Sequence, residues 1–399
     1  MSPGSARSDT GGAKGLACSR GRRWRRTSFA SALVMTAMLA ITAGPALAAE
    51  ATAGSPQPAL AQFKVGSATT GSGDGTGAVL PDRTLLLAAL SNSGKTISVC
   101  RLIPGARSCA GTAVLSAYPG DLFYGTAEVL NTGASVTIVA EDCCHLPPYS
   151  GGAVVFDSTD GGVTFSGLTA AGKIQGVAAA TVFGGEPVVA TSQSSSLNVQ
   201  TFPSTGSPGP VSSFATPRGG ADGNTALASA FGGLLVASDN VAGTVFVEYV
   251  APGGNPNSRA SYKSVGSFKG GYSLEAASGN AVLVNHGGGS LGGQRLSFFN
   301  GTSMGPLHTV PEPKGGDDHD FAIQKAGSVV HVFFLNYRHG HALYSETTTD
   351  GVHWSSFAIY ASAITSTDLA PVLNPAGAGV VFEVGTGAHA PLAQPILHW

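Results

Sequence analysis

Residues 127–168 read AEVLNTGASVTIVAEDCCHLPPYSGGAVVFDSTDGGVTFSGL. Four short apolar segments lie in this stretch: Ala127 to Leu130, Val136 to Ala140, Ala153 to Asp157 and Thr164 to Leu168. Each is too short for a helix, the first two are rich in Val, Leu and Ile, and Gly, Ser, Asn and Pro separate them. Such a stretch reads as four strands joined by tight turns, one antiparallel unit.

The same unit recurs along the chain. Apolar runs resembling Val136 to Ala140 stand at Leu85 to Leu90, Val188 to Thr191, Leu234 to Ser238, Val282 to Asn285, Val329 to Leu335 and Val380 to Val384. Six steps take Leu85 to Val380, a period of about 49 residues, which is the length of a propeller blade. Composition agrees, since 57 of 399 residues are Gly, 43% are hydrophobic and only 11% are charged. Helices avoid that much Gly, and a disordered chain carries more charge and fewer apolar residues. The expected fold is all-β, a single β-propeller over residues 62–399 with seven blades of four short antiparallel strands; six blades is the alternative. The last unit shows only three strands, so the orphan segment Gln62 to Gly66 is expected to complete it and close the ring.

The N-terminus reads as an export signal. GRRWRR at Gly21 to Arg26 precedes an apolar run from Phe29 to Thr42, and Ala46-Leu47-Ala48 supplies the small residues of a cleavage site. The run is shorter than the ~20 residues of a membrane span. Residues 1–48 are therefore expected to be removed, leaving 49–61 as a flexible mature N-terminus on a secreted protein with no membrane attachment. Seven of the 21 Lys and Arg residues leave with that segment, against one of the 23 acids, so the remainder carries a net charge near −8. Without basic clusters, nucleic acid is not an expected partner. Four cysteines remain, an even number suited to an oxidising compartment. Cys100 and Cys109 flank a turn and suit a bridge within one hairpin. Cys143 and Cys144 are adjacent, and a strained bridge between them, two free thiols or two longer bridges all stay open.

Two segments carry a resemblance. STDGGVTF, with Ser158, Asp160, Gly162 and Phe165, and TTDGVHW, with Thr348, Asp350, Gly351 and Trp354, resemble the Asp box, or BNR repeat, of sialidases and other propellers. The first matches that pattern throughout; the second is one residue shorter and lacks the Thr. The resemblance implies a folding staple on the turn between third and fourth strands, with the Asp accepting from turn N–H groups and the aromatic packed between sheets. Sialidases also use three arginines, a Tyr nucleophile, a Glu and an Asp. At the place of the family's first arginine this chain reads Ala78-Val79-Leu80-Pro81, so sialidase catalysis does not carry over.

The loops entering each first strand and those joining second to third strands would form the ligand face. They hold most of the acids and histidines: Glu141, Asp142, His145, Arg218, His286, Asp318, His319, Asp320, Arg338, His339 and Asp368 as ligand contacts, and Glu128, Glu275, Asp74 and Tyr337 as candidate catalytic groups. This points to an acidic central pocket suited to sugar hydroxyls or to acid–base carboxylates. Asp317, Asp318 and Asp320 form the densest cluster and could donate oxygens to Ca²⁺, but they lack calcium-loop spacing, so the expectation is no metal or other cofactor. Two readings stay open: a monomeric, non-catalytic propeller binding a glycan or other cell-surface polymer, and a divergent sialidase-like glycoside hydrolase.

Overall fold

The computed structural model describes residues 63–64, 75–91, 94–104, 106, 109–117, 119, 122–133, 135–143, 152–166, 169–170, 179–193, 196–203, 208–215, 225–240, 243–269, 274–285, 294–311, 321–336, 342–361, 366–373, 379–385 and 392–395. The expected signal, residues 1–48, and the segment 49–61 lie outside the described residues.

Their strands pair into seven four-stranded antiparallel sheets. The innermost strands are, in chain order, Gly75–Val79, Leu122–Asn131, Ala179–Phe183, Thr225–Ala230, Leu274–Ala277, Phe321–Ala326 and Ser366–Leu373. Each touches the next, and the seventh touches the first. That cyclic sequence of contacts is a β-propeller, with the seven first strands around its axis.

The second strands are the apolar runs of the sequence. Leu85–Leu90 is buried at every position, as is Gly233–Asp239. Buried second strands follow from the architecture, because each sheet is covered by a neighbour on both faces, and the run is then continuous rather than alternating. Between the first and second sheets Leu86, Ala88, Val99, Ile138 and Phe156 share one cluster; Val188, Val199, Val236 and Val250 join the third to the fourth. The outermost strands are wetter: Gly111–Ser116 buries only Leu115.

The seventh sheet closes the ring by joining an early segment to a late one. Phe63–Lys64 pairs antiparallel with Leu392–Pro395, Phe63 opposite Ala393 and Lys64 opposite Leu392. Cys100 and Cys109 form a disulfide, joining the third strand of the first sheet to the approach to its fourth.

Two local expectations change. The fourth strand of the second sheet is Thr169–Ala170, not Thr164 to Leu168. Thr164 is spent in the preceding turn, where its N–H and hydroxyl both donate to Asp160. Glu141, Asp142 and Cys143 lie in the strand Val136–Cys143, not in a loop. Partners on both sides extend that strand, with Glu141 opposite both Tyr124 and Ala153.

Candidate functional site

The first candidate is built on the inner strands. Glu128 stands opposite Val139, just past a register slip between Tyr124 and Glu128. Such a bulge turns a side chain out of the regular alternation. Glu275 stands opposite Leu283 in the fifth sheet and is half-buried. Burial among protein groups, and secondarily the negative charge of Glu128, push the Glu275 carboxyl up to about 8. The second and fifth sheets are three steps apart, the largest separation a ring of seven permits. An interaction between these two carboxyls therefore runs across the axis. The pair can offer a protonated O–H donor and a carboxylate acceptor to one ligand near neutral pH.

Both were expected on loops of the ligand face; the inner strands hold them instead. Of the remaining candidates, Glu141 is half-buried within its strand and Asp368 pairs with Val384 along the backbone of the seventh sheet. For Asp142 and Cys143 only the backbone is described. Asp74, Cys144, His145, Arg218, His286, Asp317, Asp318, His319, Asp320, Tyr337, Arg338 and His339 lie outside the described residues. Among the described residues no group of three or more His, Cys, Asp or Glu is arranged to hold a metal ion.

The opposite face is better defined, and the two Asp turns lie there, each between a third and a fourth strand. In the first, Asp160 Oδ1 accepts from the N–H groups of Val163 and Thr164 and from the Ser158 hydroxyl, while Ser158 Oγ accepts from Gly162 N at 2.8 Å. In the second, Asp350 Oδ1 accepts from Val352 N and His353 N, and Thr348 Oγ1 accepts from Gly351 N. These bonds hold both carboxyls well below the usual carboxylate range, the largest contributions coming from Thr164 for Asp160 and His353 for Asp350. Gly162 and Gly351 have φ of +79° and +76°. A methyl group on Gly162 would stand 2.8 Å from Leu86 of the first sheet, and one on Gly351 would stand 2.9 Å from Phe298 of the fifth. Each turn is thus seated on the preceding sheet. Phe165 and Trp354 complete the seating by packing into the clusters between sheets.

The fifth sheet repeats the construction without an Asp. Asn300 Oδ1 accepts from Thr302 N and Ser303 N, and Gly305 N returns to Phe298 O as Ser166 N returns to Asp157 O and Ser355 N to Thr347 O. An open pocket of about 330 Å³ lies beside this turn. Phe231, Asn280, Phe299, His308, Thr349 and Asp350 are among its walls, drawn from the fourth, fifth and sixth sheets. Sequence reasoning missed it, although Phe231-Gly232-Gly233 carried a signal, a large aromatic at a turn position that is Gly184 in the third sheet.

No known protein-family model matches the sequence, and no curated protein does. Solved structures do match in fold. A chain of the crystal structure of the mitotic checkpoint complex is similar over 92% of this chain and 100% of its own, with a TM-score of 0.56 and 10% identity. The NanB sialidase of Streptococcus pneumoniae is similar over 70% of this chain and 68% of its own (TM-score 0.47, 10% identity). The Aleuria aurantia lectin, in complex with Fucα1-6GlcNAc, is similar over 72% and 96% (TM-score 0.41, 13% identity).

Proposed function

We propose that this chain is a secreted β-propeller of seven blades that binds a glycan or another cell-surface polymer at its central channel, without sialidase catalysis. The observation that carries the reading is the Glu128–Glu275 pair, two carboxyls interacting across the axis, with Glu275 protonated near neutrality. Sugar hydroxyls both donate and accept, and a carboxyl beside a carboxylate answers both needs. The seven sheets in cyclic contact support the blade count. The turn bonding around Asp160 and Asp350 supports reading these segments as Asp boxes, folding devices that leave the channel to the ligand. The absence of arginine at Ala78 to Pro81 supports a binding role.

A second reading, a glycoside hydrolase, is favoured by the same Glu275. A carboxyl pushed up to about 8 suits a general acid, with Glu128 as its ionised partner. Residues 49–399, screened on a glycan array and against fluorogenic glycosides alongside Glu128→Gln and Glu275→Gln, test both. Array binding lost in both variants, without turnover, supports the binding role. Turnover abolished by Glu275→Gln supports the hydrolase, and array binding indifferent to both variants removes the channel from either.

A further inference from the structure

Phe231 occupies a backbone position that its counterparts give to glycine. The turns between first and second strands in the third, fourth and sixth sheets are two-residue hairpins: Gly184-Gly185, Phe231-Gly232 and Gly327-Ser328. The first residue has φ of +63°, +49° and +62° respectively. Glycine adopts that conformation freely, whereas a residue with a Cβ is strained in it. The strain is not offset by burial, because Phe231 remains 52% exposed.

Its ring is nonetheless held. Phe231 stands edge-to-face on the fully buried Phe299, with centroids 5.7 Å apart, and Phe299 in turn lies 4.7 Å from Tyr249. The Tyr249 hydroxyl bonds the carbonyls of Ala230 and Phe231 from beneath, fixing the turn. The result is an aromatic side chain held in place among the walls of the open pocket. Residues with hydrogen-bonding side chains line the same pocket: Thr349, Asp350, His308, and Asn280, whose Oδ1 is held by Lys325 Nζ at 2.7 Å. Among the described residues lining the pocket there is no Lys or Arg and there is one acid, Asp350, so an anionic ligand is disfavoured. Its volume stands at the small end of the ~300–1,000 Å³ typical of ligand pockets.

We propose that this pocket is a second ligand site, on the face of the Asp160 and Asp350 turns, which takes one neutral pyranose unit with Phe231 as the stacking platform and Thr349, Asp350 and Asn280 as hydroxyl partners. An aromatic face for the C–H side of a sugar ring and a rim that donates and accepts match a saccharide better than a planar aromatic or an aliphatic ligand. The site is independent of the channel carboxyls.

The test uses residues 49–399 and the methyl glycosides of glucose, galactose, mannose, fucose and N-acetylglucosamine, with binding read by saturation-transfer NMR and titration. At least one glycoside should bind. Phe231→Gly, which relieves the backbone strain, should weaken it by about tenfold or more with a melting midpoint within about 3 °C of the parent. Thr349→Val should also weaken it. The inference is overturned if none of the five binds, if Phe231→Gly binds as the parent does, or if Glu128→Gln/Glu275→Gln alone loses binding. A large drop in melting midpoint for Phe231→Gly, with affinity for the glycoside kept by Thr349→Val, would assign Phe231 to folding and overturn it too.

Discussion

Arg101 and Gly161 meet across sixty residues of sequence, the guanidinium Nε–H of one donating to the carbonyl of the other at 3.0 Å. The first belongs to the third strand of the first sheet and the second to the Asp160 turn of the second. Asn131 makes the same kind of stitch, its Nδ2 donating to Val79 O at 3.0 Å. Neighbouring sheets are therefore joined by polar bonds at the turn face as well as by their apolar cores.

Gly162→Ala should destabilise the protein by about 2–4 kcal/mol, combining a left-handed backbone with overlap against Leu86. Gly133→Ala is the matched control. Its φ is +86°, but nothing lies within 4 Å of the added carbon, so only the backbone cost of about 1 kcal/mol is expected. Urea unfolding of the two variants side by side measures the difference.

Asp160 should make its contribution pH-dependent in one direction. Its carboxyl is held below the usual 3.8, so its stabilising effect is present above that value and is lost as pH falls through the lowered one. The melting midpoint of Asp160→Asn should trail the parent by a constant margin from pH 7 to about 5. Below about 4 the margin should shrink. A margin unchanged at acid pH would mean that the carboxylate charge is irrelevant to the turn.

Glu275 should act in the opposite sense. Its carboxyl is raised from 4.5 to about 8, so its stabilising contribution is complete below 4.5 and is lost as pH rises through 8. Glu275→Gln should abolish that loss and be the more stable protein above about pH 8, by on the order of 2 kcal/mol after allowing for solvent in the channel. Melting midpoints of parent and variant between pH 5 and about 9 decide it.

The Cys100–Cys109 bridge closes a short loop, with a sequence separation of 9. Replacing both by Ser should cost about 2–3 kcal/mol by the chain-entropy argument. Because the bridge lies within one sheet, the variant should keep the circular dichroism of the parent at 25 °C.

The second strands were legible because both their faces are buried. Leu85–Leu90 and Val329–Asn336 appear in the sequence as runs that no turn residue interrupts, and their spacing alone yields the period. The fourth strands were not, since an edge strand such as Tyr262–Lys269, with only Tyr262 buried, has no apolar rhythm to read. That is why Thr164 reads as the start of a strand although it belongs to a turn. The closing strand was legible as an orphan segment and pairs as one. Glu128 and Glu275 were expected on loops of the ligand face, and only the ring reveals that they stand on inner strands and interact across its axis. The Phe231 pocket was not legible because its walls come from three sheets, and the aromatic at a turn position that is Gly184 in the third sheet gains its meaning only once the hairpins are aligned.

The pairing of Phe63–Lys64 with Leu392–Pro395 ties closure of the ring to the synthesis of its seventh sheet. Sheets one to six are each local in sequence and can form as they are made. The seventh joins residues 63–64 to residues 392–395, and the loop-closure entropy of bringing segments so distant together must be met before its hydrogen bonds form. Until then the first sheet and the last expose uncovered flanks, so the interval between the sixth sheet and the seventh is when the growing protein is most open to aggregation.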